Sequence, residues 1–353
     1  VTMPGRPADV PMVALERFFA DALAVAESAH EAAGRIEHRY RLGPAAFRLV
    51  CAGEAVASAI APTLAHIRLP EDGAAEIAIH AWSEATAHLP PAPWPAEAYG
   101  QRGGIDLGDG RFSAFYQLGA DSVSVLDRQR GVALYHLRRP LPYWERSFPF
   151  RPIFHAWLAD TGLQPVHAGA VGRPDGGVLV TGPSGSGKTT TTIACLAGGL
   201  SYAGDDYVLV GTAPPPIVYS LYCAAKFTDD ALRRFPQLAE HVWNPDREPG
   251  EKALIYGSRG FPDALVPEMP IRAVVLPRVT GLVDTSVRRV PAAAAIRALA
   301  PTTLAHLPGH AASTLAKLTR LCMSVPCFEL AAGTDLGQIP HAILQILEGV
   351  PSR

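Results

Sequence analysis

Gly182-Pro183-Ser184-Gly185-Ser186-Gly187-Lys188-Thr189 decides how the rest of this 353-residue chain is read. The spacing is GxxxxGK[ST]. Its glycines let backbone N–H groups turn inward around phosphate oxygens with no Cβ in the way. Lys188 is placed to reach the β- and γ-phosphates as a mobile point charge, and Thr189 to offer its hydroxyl to Mg2+. Val178-Leu179-Val180 reads as an apolar strand entering the loop, and Thr190–Leu196 as a helix leaving it. That helix would add the partial positive charge of its N-terminus. The eight loop residues and Thr190 are therefore the candidate nucleotide-binding residues.

Acid groups follow at a useful distance. In a right-handed βαβ unit the strand after the helix runs parallel to the strand before it. Asp205-Asp206, between apolar Leu200–Ala203 and Tyr207–Val210, then close a strand on the edge that carries the loop. One carboxylate can hold Mg2+, and the other can accept a proton from an attacking hydroxyl. Gly-Asp-Asp also suits a simple turn. His167 is reached through a hairpin. If Gly172–Gly177 turns the chain, Val171 pairs near Val178, and His167 falls beside Gly182, where an imidazole could meet phosphate or an acid. Among further cations, Lys226, Lys252 and Arg259 read mainly as surface residues. Lys252, before Ala253-Leu254-Ile255-Tyr256, is the preferred one to meet a transferring phosphoryl group.

Upstream the texture differs. Met12–Arg35 has Leu15, Phe18, Phe19 and Leu23 at helical spacing. Tyr40–Cys51 and Ala75–Trp82 alternate like strands, the second through Glu76-Ile77-Ala78-Ile79-His80. Pro90–Pro95 marks a loop, and Gly108–Leu118, Ser122–Asp127 and Val132–Leu137 read as a short meander. Pro152–Thr161 reads as a helix with its stop at Gly162. The expected division is an N-terminal α+β region over residues 1–160, of unassigned role, and an α/β P-loop domain over residues 161–353.

The totals exclude several classes. The chain is 48% hydrophobic and 18% charged, so it can build a core. A net charge of -2 gives no basic excess for nucleic acid. No run of eighteen apolar residues points to a membrane; Pro291–Ala300 is short and interrupted by Arg297. Val1–Val10 has neither the basic nor the apolar segment of a secretory signal. Cys51, Cys195, Cys223, Cys322 and Cys327 form no CxxC and have no partner at metal-ligand spacing, which suits buried thiols in a reducing compartment. The expectation is a soluble cytoplasmic protein.

Val166-His167-Ala168-Gly169-Ala170-Val171, Gly182–Thr189 and Ala203-Gly204-Asp205-Asp206 together resemble HPr kinase/phosphorylase, a family grouped with phosphoenolpyruvate carboxykinases by its P-loop core. The match is strongest over Leu163–Val210. Weaker features, Lys226-Phe227, Glu251-Lys252 and Val325–Leu330 before a final helix, are more similar to HPr kinase-like serine kinases encoded near peptide-modification genes, including those of lasso peptides. The resemblance implies the HPr kinase C-terminal-domain fold and ATP- and Mg2+-dependent phosphorylation of a serine hydroxyl on a peptide or protein. It implies phosphate and metal roles for Lys188 and Thr189, and a metal contact and catalytic base shared between Asp205 and Asp206 in either order. His167 stands where the family His does. No counterpart of the family's C-terminal Gly-Arg-Asn-type stretch or capture segment is found, so phosphorylase activity and HPr itself are not implied. A homo-oligomer is compatible with it. Two rival expectations are a small-molecule kinase of the same fold and a nucleotide-gated switch without phosphoryl transfer. The switch is disfavoured by the second acid and by the absence of Asn-Lys-x-Asp and Leu-Ser-Gly-Gly-Gln motifs.

Overall fold

A computed structural model describes residues 10–100 and 102–349. The stretch Val1–Val10, read for a leader signal, therefore lies outside the described residues except for Val10. Contacts divide the chain into two units. The first runs to Pro62 and includes Arg68–Leu158 and Leu307–His310. The second includes Thr63–Ile67, Ala159–His306 and the chain from Ala311 onward. The short exchanged pieces were not legible in the sequence.

The first unit is a mixed sheet with a long helix on one face. The helix α1 (Met12–Ala33) stops at Gly34, whose φ of 90° ends the helical path. A hairpin follows, β1 (Arg35–Leu42) and β2 (Ala45–Ala52). The strand-like stretch Tyr40–Cys51 spans parts of both, because Gly43-Pro44 turns the chain. After α2 (Glu54–Leu64) come β3 (Arg68–Leu69) and β4 (Ile77–Ser83). The meander is β5 (Gly104–Leu107), β6 (Phe112–Gln117), β7 (Ser122–Asp127) and β8 (Val132–Leu137). Of the expected strand over Gly108–Leu118 only Phe112–Gln117 forms, because residues 108–111 make the turn after β5. Strand order is β3-β1-β2-β4-β8-β7-β6-β5, with β4 parallel to both β2 and β8. Leu15, Phe18, Phe19 and Ala22 of α1 pack on Trp82, Phe112 and Leu134. Burying each large side chain contributes roughly 1.5–3 kcal/mol. Two short helices, α3 (Tyr143–Ser147) and α4 (Arg151–Trp157), close the unit. The second ends four residues before the expected Thr161.

The second unit is a mixed α/β layer with helices on both faces. Its elements are β9 (Leu163–Val166), β10 (Gly169–Arg173), β11 (Gly176–Val180), α5 (Lys188–Ala197), β12 (Ser201–Gly204), β13 (Val208–Gly211) and β14 (Ile217–Ser220). A separate ribbon pairs β15 (Ala224–Phe227) with β16 (Ala253–Tyr256), and α6 (Asp229–Arg233) and α7 (Gly257–Gly260) flank it. Then come β17 (Glu268–Val279), β18 (Ser286–Val290), α8 (Ala292–His306), α9 (Ala311–Ser324), β19 (Cys327–Ala332) and α10 (Gln338–Gly349). The main path is β12-β10-β11-β17-β14-β13-β9, and β17 also carries β19, which pairs with β18.

Val171 faces Val178 across the β10–β11 hairpin, the register read from the turn. Two expectations change. First, β12 does run in the direction of β11, but antiparallel β10 lies between them, so the unit is not a simple βαβ crossover. Second, Val166–Val171 is not one strand. Val166 pairs with Val208 in β13, Gly169 pairs with Val180 in β11, and the chain changes partner at His167-Ala168. Ile193 and Cys195 of α5 and Ile339 and Ile343 of α10 fill one face over Val171, Val178 and Val180. Leu299 of α8 and Leu318 and Leu321 of α9 fill the other over Ala170, Leu179 and Val274.

No helix among the described residues is long and apolar enough to cross a membrane. All five cysteines are buried free thiols.

Candidate active site

The loop after β11 is shaped by its glycines. Gly185 and Gly187 take φ of 79° and 101°, a region costly for any residue with a Cβ. Gly187 is the N-cap of α5, so the first free N–H groups of the helix open onto the loop. The buried Lys188 ammonium lies along it and donates to the carbonyls of Gly182 and Pro183 at 2.9 and 3.2 Å. Burial lowers the Lys188 pKa, and the charges of Asp206 and Asp205 oppose that shift.

Gly204 at the end of β12 stands opposite Ala170, on the edge where Val180 enters the loop. The next two residues separate in role. Asp205 is 1% exposed and accepts two hydroxyl hydrogen bonds, from Thr189 Oγ1 to Oδ2 at 2.9 Å and from Thr192 Oγ1 to Oδ1 at 2.8 Å. Burial first, then the charge of Asp206, push its carboxyl up to about 7, while the two threonines work the other way. Gly169 makes this close approach feasible. A Cβ there would sit 2.6 Å from Thr192 Cγ2 and 2.8 Å from the Asp205 carbonyl oxygen.

Asp206 instead faces a cleft. His167 Nε2 lies 3.7 Å from Oδ1 and Lys226 Nζ 3.3 Å from Oδ2. Burial works to raise its pKa, but the His167 and Lys226 interactions outweigh that and hold it below the ordinary carboxylate range. His167 is placed by the break between β9 and β10 and by α8. Its backbone N–H donates to Thr303 Oγ1 at 3.2 Å, and its ring stacks on His306 at 4.4 Å and 18°. The Tyr207 hydroxyl in turn meets His306 Nδ1.

These groups line a cleft of about 450 Å³. Ser184, Gly185, Gly187, Lys188, Thr189 and Thr190 form its loop side, and His167, His306 and Asp206 its base. Lys226, Lys252 and Arg234 add positive charge, with Asp230 nearby. Pro183 and Ser186 turn to a separate hollow against Leu276–Val279 and Glu329. Of the three cations weighed in the sequence, Arg259 does not line the cleft, and Lys226, ranked below Lys252, is the one that pairs with Asp206. The pairing of β15 with β16 sets Lys226 opposite Leu254.

Sequence reasoning missed Thr192, Arg234 and His306. Thr192 had a signal: Thr189–Thr192 is a run of β-branched residues at a helix start, where helix propensity alone would not put them. His306 lies 139 residues beyond His167 and had none.

The donor set suits Mg2+, which takes oxygen ligands, needs only one or two from protein, and fills the rest from water and phosphate. The Thr189 hydroxyl and the Asp206 carboxylate would be those oxygens; Asp205, expected to join them, is buried with both oxygens taken by the Thr189 and Thr192 hydroxyls. Chemically, the cleft pairs a glycine-shaped loop and several cations with the Asp206 carboxylate at its base.

No protein-family model matches the chain, and no curated protein matches it in sequence. Among solved structures, the Hpr(Ser) kinase/phosphatase from Coxiella burnetii is similar at 12% identity, over 52% of this chain and 94% of that one, with a TM-score of 0.28. A superposition at that score carries no argument about the site.

Proposed function

We propose that this protein is an ATP- and Mg2+-dependent kinase that transfers the γ-phosphoryl group to a serine hydroxyl of a peptide or protein. The carrying observation is the division of labour between two adjacent acids. Asp205 is buried and holds the Thr189 hydroxyl, whereas Asp206 is ionised, faces the cleft and stands beside His167 and Lys226. A switch needs the first arrangement. The second adds a proton acceptor at the place where an acceptor hydroxyl would enter.

In this reading the loop N–H groups and Lys188 bind the triphosphate, and Asp205 keeps Thr189 oriented toward the metal. Mg2+ bound there supplies charge neutralisation on the phosphate oxygens. The Asp206 carboxylate takes the proton of the acceptor hydroxyl as that oxygen bonds to the γ-phosphorus. The bond from the γ-phosphorus to the bridging oxygen breaks, and ADP leaves. A carboxylate of low pKa suffices because such transition states are loose and need placement more than a strong base. Lys226 and His167 hold Asp206 in its ionised form, and Lys226 and Lys252 stabilise charge on the moving phosphoryl group.

The test is incubation of the purified chain with γ-labelled ATP, Mg2+ and an extract of its own organism, with mass spectrometry of the labelled species. Phosphoserine in a peptide or protein supports the proposal. A labelled metabolite would replace its acceptor class, and hydrolysis with no labelled acceptor would replace transfer by switching.

A further inference from the structure

The first unit holds a cluster that the cleft chemistry does not use. Glu27 and His30 lie one helical turn apart on α1, so both face the same way. They meet His80 on β4, whose side chain shares the sheet face of Trp82. His80 Nδ1 lies 3.4 Å from Glu27 Oε1, and His30 Nδ1 lies 3.7 Å from Glu27 Oε2. One ligand atom from each of the three residues falls within 4.8 Å of the other two. The imidazoles are 5.3 Å apart between centroids and tilted by 38°.

A second observation is independent of this spacing. His30 is 1% exposed and His80 7%. The Nδ1 atoms of His30 and His80, which both lie beside Glu27, are at no hydrogen-bonding distance and angle from a partner among the described residues. Buried polar atoms are nearly always paired, and an orphan group points to a missing water or ion. Two of them beside one carboxylate is not the pattern of an apolar core.

We propose that Glu27, His30 and His80 bind one divalent transition-metal ion, with Zn2+ the best chemical fit. Two imidazoles and a carboxylate suit zinc and its neighbours, and do not suit Mg2+ or Ca2+, which take oxygen. In tetrahedral zinc sites, with bonds of about 2.0–2.1 Å, ligand atoms stand about 3.4 Å apart; His80 Nδ1 and Glu27 Oε1 already have that separation, and the third ligand atom lies within 4.8 Å. Arg35 Nη1 donates to Glu27 Oε2 at 2.7 Å, so it orients the carboxylate and leaves Oε1 toward His80. Glu27 is 43% exposed, which gives water access to a remaining coordination position. The ion would tie α1 to the middle of the sheet. Neither the loop nor the acid pair takes part, so this site stands or falls apart from the kinase reading.

The experiment uses the full chain with any affinity tag removed, stripped by chelator and then titrated with Zn2+ and with Co2+. The expected result is one equivalent bound, a higher melting temperature with Zn2+, and visible Co2+ bands of a four- or five-coordinate site. Glu27→Ala and His80→Asn should each weaken binding at least ~10-fold and abolish the thermal shift. Glu27 is exposed enough for its variant to keep the fold, which far-ultraviolet circular dichroism checks. Failure of the wild-type chain to bind either ion overturns the proposal. So does an equivalent retained with unchanged affinity by both variants, because the ion would then sit elsewhere.

Discussion

Thr192→Val tests the buried acid most cleanly, because it keeps the side-chain shape and removes one hydroxyl. That hydroxyl donates to Asp205 Oδ1 at 2.8 Å, both residues are buried, and Oδ2 keeps its bond to Thr189. Hydrogen bonds to charged groups contribute about 1.5–3 kcal/mol, so a loss of about 2 kcal/mol is expected. For a unit of this size each kcal/mol moves the melting temperature by about 2–4 °C, which gives a fall of about 4–8 °C. The pH dependence carries its own sign. Asp205 is raised above its unfolded value to about 7 in the folded chain, so it is charged above that pH and largely neutral well below it. Thr192 is among the groups that lower it, so the variant carboxyl rises further. The destabilisation should therefore be largest near pH 8.5 and shrink near pH 5.5, where both proteins hold a neutral Asp205. Differential scanning fluorimetry in chelator-containing buffer at the two pH values measures it. A shift below 1 °C at pH 8.5 would refute the hydrogen-bonded role of Asp205, and equal shifts at both pH values would refute its charge.

Two further outcomes concern other groups. Lys226→Met should lower the rate of phosphoryl transfer by ~10²–10³-fold and more than Lys252→Met does, because Lys226 alone of the two pairs with Asp206 at 3.3 Å; steady-state kinetics giving the reverse order would return Lys252 to the preferred position. His66 donates to or accepts from Ser220 Oγ at 2.6 Å and is held at about 4 by burial, below the ordinary 6.5. The unfolded chain therefore binds more protons between those values, so stability is full above about pH 6.5 and falls as pH drops toward 4. His66→Gln should melt with a smaller difference between pH 7.5 and pH 5 than the wild-type chain.

What was legible in the sequence was local. The glycines, Lys188 and Thr189 sit within one short loop, and the β10–β11 register follows from the turn inside Gly172–Gly177, so neither depends on distant partners. Asp205-Asp206 could be put on the loop's edge because strand direction after a helix is constrained. Contacts made across long separations were not legible. The partner change at His167 requires Val208 of β13, 42 residues beyond Val166, to capture it. Lys226 outranks Lys252 by its pairing with Asp206, a contact that no periodicity announces. His306 stacks on His167 because α8 packs on the sheet from the far side. The Glu27–His30–His80 cluster was hidden in the same way: two members share a helix turn, and the third arrives by the packing of that helix on β4.

The most direct measurement of the account takes one preparation of wild-type protein and one of Asp206→Asn, and determines in each the affinity for Mg2+-ATP and the rate of label transfer to the serine-bearing acceptor. The account predicts affinity kept within ~3-fold, because the binding donors are the loop and Lys188, and transfer reduced by ~10²–10⁴-fold, because the proton acceptor is gone. Transfer within tenfold of wild type in the variant would contradict it.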